Sequence, residues 1–170
     1  MILKKNLVFL GMMGSGKSSI GYLVSKKLNL VFADIDNLIE KENGLSISEI
    51  FKNKGESFFR SLEEKITLKA LEEVNTIISL GGGGFINNKI RNEVLINHFS
   101  FWLNWDESIL IKRIKNNKKR PLAFQATDQQ IKKLIKQRIK IYSKAQFKIN
   151  CNKLTKTEIV NKIIKIYESN

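Results

Sequence analysis

An α/β domain layered around a parallel sheet is the fold class this sequence predicts. Three observations lead there. Leu7 to Leu10 is apolar throughout, as a parallel strand covered on both faces must be. The stretch Gly11 to Ser19, GMMGSGKSS, follows directly and opens a segment with helical spacing, so the pattern GxxxxGKS sits where a strand turns into a helix. Beyond it, β-rich runs and helical periods alternate to the end, with no internal repeat or linker. A length of 170 residues suits one such domain, 1–170, able to bury a sizeable core.

Composition narrows the function classes. With 42% hydrophobic residues, one proline and no long apolar run, the chain is expected to fold compactly, without a membrane span. Lys4 and Lys5 precede apolar residues that lead straight into the glycine loop, so those residues serve better as a strand than as an export signal. The single cysteine, Cys151, has no disulfide partner and no metal-ligand cluster around it, and a reduced, cytoplasmic setting is expected. The formal charge of +14 suits anionic nucleotides and acidic metabolites as well as nucleic acid. Because lysine is spread throughout and no aromatic-interleaved basic stripe occurs, nucleic acid is not expected as a partner.

In the first unit, Gly11, Gly14 and Gly16 let the backbone wrap a phosphate, and the amides at the helix start point at its oxygens. Lys17 would neutralise the β and γ phosphates, and the Ser18 hydroxyl would take one Mg²⁺ position. Gly14, Ser15, Gly16, Lys17, Ser18 and Ser19 are thus the expected nucleotide-binding loop. From Ser18 the apolar positions Ile20, Leu23, Val24 and Leu28 recur at helical intervals. A second strand, Leu30 to Ala33, brings Asp34 and Asp36 to its C-terminal end, the edge where open parallel sheets bind ligands. Asp34 could reach Mg²⁺ through water, and Asp36 could accept from or orient a substrate hydroxyl. Either acid could instead cap the helix that carries Leu38 and Ile39.

SISE, Ser46 to Glu49, is a capping-box signal for a short helix that Gly55 interrupts. A long helix follows, with Phe59, Leu62, Ile66 and Ala70 on one face. Arg60 and Glu63, three apart, can pair on the surface, or Arg60 can grip a carboxylate while Glu63 holds its guanidinium. The strand Thr76 to Leu80 runs into Gly81 to Gly84, whose backbone can approach a ligand that side chains would obstruct. Ser79 stands where a second metal-supporting residue often occurs, and would act through water.

Asn88 to Ile96 reads as a helix and Phe99 to Leu103 as a fourth strand, with Trp102 and Trp105 favoured as core aromatics. His98 has no catalytic grouping and is expected to be structural or exposed. After a helix over Glu107 to Lys115, the polar stretch NNKKRPLAFQATD breaks at Pro121 and reads as a lid over 116–127, able to swing Arg120 over a transferred phosphate. Asp128 would cap the next helix, which carries Ile131, Leu134, Ile135, Ile139 and Tyr142. Lys148 to Cys151 is the last strand, and the TKTE signal at Thr155 to Glu158 opens a terminal helix reaching Tyr167.

Taken together, GMMGSGKSS, the acid pair in ADID, FKNKGESFFRSLEE, SLGGG, KKRPL, RIKIYSKA and the NCN near the last strand resemble shikimate kinases along nearly the whole chain. The resemblance implies a three-layer α/β/α P-loop kinase fold with five parallel strands in order 2-3-1-4-5, usually monomeric. It implies ATP and shikimate as substrates with Mg²⁺, and phosphorylation of the shikimate 3-hydroxyl. Asp36 then resembles the hydroxyl-binding acid and candidate base, Arg60, Gly82 and Arg138 resemble the shikimate-binding residues, and 31–63 is the implied shikimate-binding region. Glu63 would support that site, with Gly81 and Gly83 shaping the turn. Arg120 resembles the lid arginine, Arg113 and Asn152 match positions near adenine, and Asp34 belongs to the water-mediated metal shell. Where the family often has Arg-x-Pro-Leu-Tyr, this chain has Arg138, Ile139, Lys140, Ile141 and Tyr142, and Gly84 extends the usual three glycines, which would loosen the turn. A kinase for another metabolite, such as gluconate, and a nucleotide-dependent binding module are the other readings; the two arginines and the glycine turn weigh against the first.

Overall fold

The computed structural model describes residues 6–116 and 126–170. Five parallel strands form one sheet: β1 (Leu7–Leu10), β2 (Val31–Asp34), β3 (Thr76–Ser79), β4 (Phe99–Asn104) and β5 (Phe147–Asn150), in the spatial order β2-β3-β1-β4-β5. The helices among the described residues are α1 (Lys17–Leu28), α2 (Ile35–Asn43), α3 (Ile47–Glu72), α4 (Asn88–Asn97), α5 (Glu107–Lys115), α6 (Asp128–Tyr142) and α7 (Lys156–Glu168).

β1 lies at the centre and is buried along its whole length, which explains its unbroken apolar run. Its alternation splits the core in two. Val8 and Leu10 face a layer built with Ile35, Ile66, Val94 and Ile135 from α2, α3, α4 and α6. Leu7 and Phe9 face the opposite layer, filled by Ile20 and Val24 of α1 and Ile159 and Ile163 of α7. The three-layer expectation and the strand order therefore both hold. At one edge of the sheet β2 leaves Val31 66% exposed, so that strand lacks the double cover β1 has.

Local signals mostly act where the sequence places them. Ser46 and Glu49 form the capping box of α3, and Gly55, at φ 80°, kinks that helix into two arms. Thr155 and Glu158 do the same for α7. One cap differs: Thr127, not Asp128, is the N-cap of α6, accepting from the Gln130 amide while the Gln130 side chain reaches back. Asp128 becomes the first helical residue and pairs with Lys115 across to α5. Leu23, grouped with the apolar face of α1, is 38% exposed. His98 is buried, with Nε2 3.6 Å from Glu93 Oε1, so its structural reading stands.

Candidate active site

The C-terminal ends of β1, β2 and β3 open into a cleft of about 760 Å³. Above β1, the loop from Gly11 to Gly16 turns tightly through a Ser15 N–H to Met12 carbonyl bond of 3.1 Å. Gly16, at φ 89°, occupies the N-cap of α1 without a side chain to cap it. The first amides of α1 are thereby left for an anion, and a Cβ at Gly16 would be strained. Lys17 is 8% exposed, its ammonium donating to the Gly11 and Met12 carbonyls at 2.9 Å each. Ser18 opens towards the cleft, its Oγ 3.5 Å from Ser79 Oγ. Ser19 follows within the first turn.

Asp34 ends β2 opposite Ser79 in register and caps α2, accepting from the Asn37 amide at 3.1 Å. The capping alternative therefore holds for Asp34, which also lines the cleft beside Ser18. Asp36 lies two residues on, in the first turn of α2, with its carboxylate directed at Gly81: a Cβ built on that glycine would stand 2.8 Å from Asp36 Oδ1 and 2.6 Å from Glu63 Oε1. Two carboxylates that line the cleft thus converge on one buried glycine.

From α3, Arg60 Nη1 donates to Glu63 Oε2 at 2.7 Å, and Nε reaches Glu56 at 3.3 Å. The pair forms as the surface reading requires, yet Glu63 is only 2% exposed and both residues line the cleft. Burial lifts the Glu63 carboxyl above its usual range, with Arg60 opposing and Asp36 adding to the rise. For Arg60, burial works against the charge, but Glu63 and Glu56 outweigh it and hold its guanidinium above its ordinary value. Facing them from α6, Arg138 donates to the Gly82 carbonyl at 3.1 Å, and the Tyr142 hydroxyl donates to the same oxygen. Burial pushes the Tyr142 phenol up to about 12, so it remains a donor.

The glycine turn owes its composition to these neighbours. None of Gly81 to Gly84 needs a positive φ. Instead, a Cβ at Gly83 would run into the Arg60 guanidinium, and one at Gly82 would meet the Met13 amide at 3.2 Å. Gly84 does not loosen the turn as expected: its N–H closes onto the Gly81 carbonyl at 3.0 Å and starts a single 3₁₀ turn, Gly84–Ile86.

On the far side of the loop, Arg113 lies over the ring of Trp105 with Nη1 3.4 Å from the Gly14 carbonyl. Asn152 and Asp106 exchange two hydrogen bonds, 2.9 and 2.7 Å. Trp102 is core, 4% exposed, whereas Trp105 is only partly buried and bonded to the phosphate loop. The core expectation holds for Trp105 in part: it packs against both apolar layers, while the turn after β4 also brings its indole N–H to the loop. The Tyr142 hydroxyl was missed too, although its position four residues after Arg138 places both on one face of α6. Residues 117–125, with Arg120 and most of the expected lid, lie outside the described residues.

A parallel sheet with an uncapped glycine-loop helix, a lysine in the loop and a cleft of acids and arginines beside it defines a P-loop phosphotransferase. A family model described as Shikimate kinase matches residues 13–168. A shikimate kinase of Thermodesulfovibrio yellowstonii is 39% identical over 165 residues, covering 96% of this chain and 95% of the relative. One from Bartonella quintana is 40% identical over 95% of this chain and 78% of its own length. Among solved structures, shikimate kinase from Acinetobacter baumannii in complex with shikimate superposes with a TM-score of 0.91 at 27% identity, over 98% of this chain and 94% of that one. That of Aquifex aeolicus gives 0.84 at 34% identity, over 97% of each. The chain belongs to the shikimate kinase family, a family of ATP-dependent kinases.

Proposed function

We propose that this cleft transfers the γ-phosphoryl group of ATP to the 3-hydroxyl of shikimate, giving shikimate 3-phosphate and ADP. The observation that carries the proposal is the grouping of Asp36, the Arg60–Glu63 pair and Arg138 around one cleft beside the phosphate loop. Arg60 and Arg138 approach it from different helices and offer a bidentate grip to the carboxylate of an anionic substrate. Asp36, beside them, aligns the hydroxyl or takes its proton as the new O–P bond forms and the bond from phosphorus to ADP breaks. Lys17 and the α1 amides stabilise charge on the phosphoryl oxygens, a role shared by Arg120 on the family resemblance. Arg113 and Asn152 are assigned to the adenine end.

Mg²⁺ belongs to the same proposal, held by Ser18 directly and by Asp34 through water. The donor set fits: one exposed hydroxyl, a neighbouring Ser79 hydroxyl and one carboxylate suffice for an ion that keeps most of its shell as water and phosphate oxygens. When bound it would neutralise phosphate charge. We also read the enzyme as a cytoplasmic monomer, a reading that rests on the family resemblance; separately, no helix among the described residues is long and apolar enough to cross a membrane. The domain limits 1–170 and a lid over 116–127 remain part of this reading.

Incubating the purified protein with ATP, Mg²⁺ and shikimate should yield ADP and shikimate 3-phosphate in equal amounts, with gluconate giving none. Arg138→Ala should weaken shikimate binding at least tenfold by calorimetry while ATP binding changes little. Unchanged shikimate affinity would remove Arg138 from the grip.

A further inference from the structure

Trp105 stands at the end of β4 and packs against both apolar layers of the molecule at once. Its indole N–H donates to the Ser15 carbonyl at 2.8 Å, inside the phosphate loop and 90 residues away in sequence. Its ring carries the Arg113 guanidinium 3.9 Å from the centroid. Arg113 in turn reaches the Gly14 carbonyl. One side chain from the β4–α5 turn therefore holds the loop directly, through Ser15, and indirectly, through Arg113. The next residue, Asp106, is tied to Asn152 by the reciprocal pair of bonds, which anchors this turn to the one after β5.

We propose that Trp105 is a nucleotide-positioning residue that couples the phosphate end of the ATP site to its base end. The peptide that carries the Ser15 carbonyl also carries the Gly16 N–H, so fixing that oxygen fixes the direction of an amide at the mouth of α1. On the other side, the indole ring holds the Arg113 guanidinium flat, leaving its outer face for a purine to stack on. The hydrogen bond needs a ring-borne N–H at this reach, and the stack needs a broad aromatic face. Tryptophan supplies both. This proposal rests on the reading of the loop and Arg113 as the ATP site.

Two variants separate the contributions: Trp105→Phe keeps a ring without the N–H, and Trp105→Leu keeps neither. Full-length parent and variants are compared by ATP and shikimate KM, kcat, thermal melting and the change in tryptophan fluorescence when ATP binds. Loss of one hydrogen bond at the loop should raise the KM for ATP about fivefold to tenfold in Trp105→Phe, and further in Trp105→Leu. The change should fall on ATP KM rather than on shikimate KM or kcat, and the parent's fluorescence response should disappear with Trp105. Equal ATP KM in parent and both variants would overturn the inference alone. So would a parallel rise in both KM values with a lowered melting temperature, which would make Trp105 a packing residue only. A parent that binds no ATP would overturn the site reading, and this inference with it.

Discussion

Asp36 occupies the first turn of α2 with its carboxylate against Gly81, while Asp34, two residues earlier, is committed to capping the same helix. On the proposed mechanism, Asp36→Asn keeps the shape and loses the charge that orients or accepts the hydroxyl proton. The variant should show parental circular dichroism and near-parental ATP affinity, with single-turnover transfer lower by at least about a hundredfold. Parental transfer would dismiss the role. Glu63 makes a different prediction, from its raised pKa. A carboxyl that is protonated more readily in the folded than in the unfolded chain adds most stability at acid pH, and its contribution falls as pH climbs from about 4.5 through the folded value. Glu63→Gln does not titrate. The melting temperature of the parent relative to this variant should therefore decline as pH rises across that interval, and a relative gain would contradict the buried-carboxyl account.

At the scale of elements, the turn after β3 and the start of α6 each depend on one small residue. Gly83→Ala places a methyl where the Arg60 guanidinium lies, and the flexible arginine can move more easily than the backbone. The variant should stay folded with some loss of stability, because buried Glu63 gives up its partner, and should lose shikimate affinity at least severalfold as Arg60 moves; unaltered affinity in calorimetry would show that Arg60 need not lie there. For α6, Thr127→Ala removes a formed cap and should cost about 1 kcal/mol in denaturant unfolding. Asp128→Ala, which removes only an exposed ion pair with Lys115, should cost well under that. The reverse order would restore Asp128 as the cap.

Across the whole molecule, the two apolar layers meet the sheet on opposite faces, and Cys151 lies sealed in the α1–α7 layer just after β5. Burial pushes its thiol up to about 12, and Sγ donates to the Ile149 carbonyl at 3.3 Å. Since the thiolate is the reactive form, native protein should resist thiol reagents and react only as fast as the core opens, whereas denatured protein should react at once. Full labelling within seconds in native buffer would reveal a local opening beside β5.

Much of this molecule is decided within a turn or two of chain. The β1 run, the glycine-loop pattern, the capping boxes at Ser46 and Thr155 and the apolar periods of α3 and α6 are local, and the sequence by itself determined them because each is a contact between residues three or four apart or a strand's alternation. The strand order entered through resemblance to a family rather than through spacing, and the structure has it. What only the tertiary structure decided are the partners that this order brings together. Tyr142 meets Gly82, Trp105 meets Ser15, and buried Asn6 ties Leu71 and Glu73 to the amide of Thr76. Even the glycines after β3 are explained from outside their own segment, by Asp36, Arg60 and Glu63 pressed against them. A residue's local propensity follows from its neighbours in the chain, but the partner of a buried hydrogen-bonding group is set by whichever distant element the sheet lays beside it.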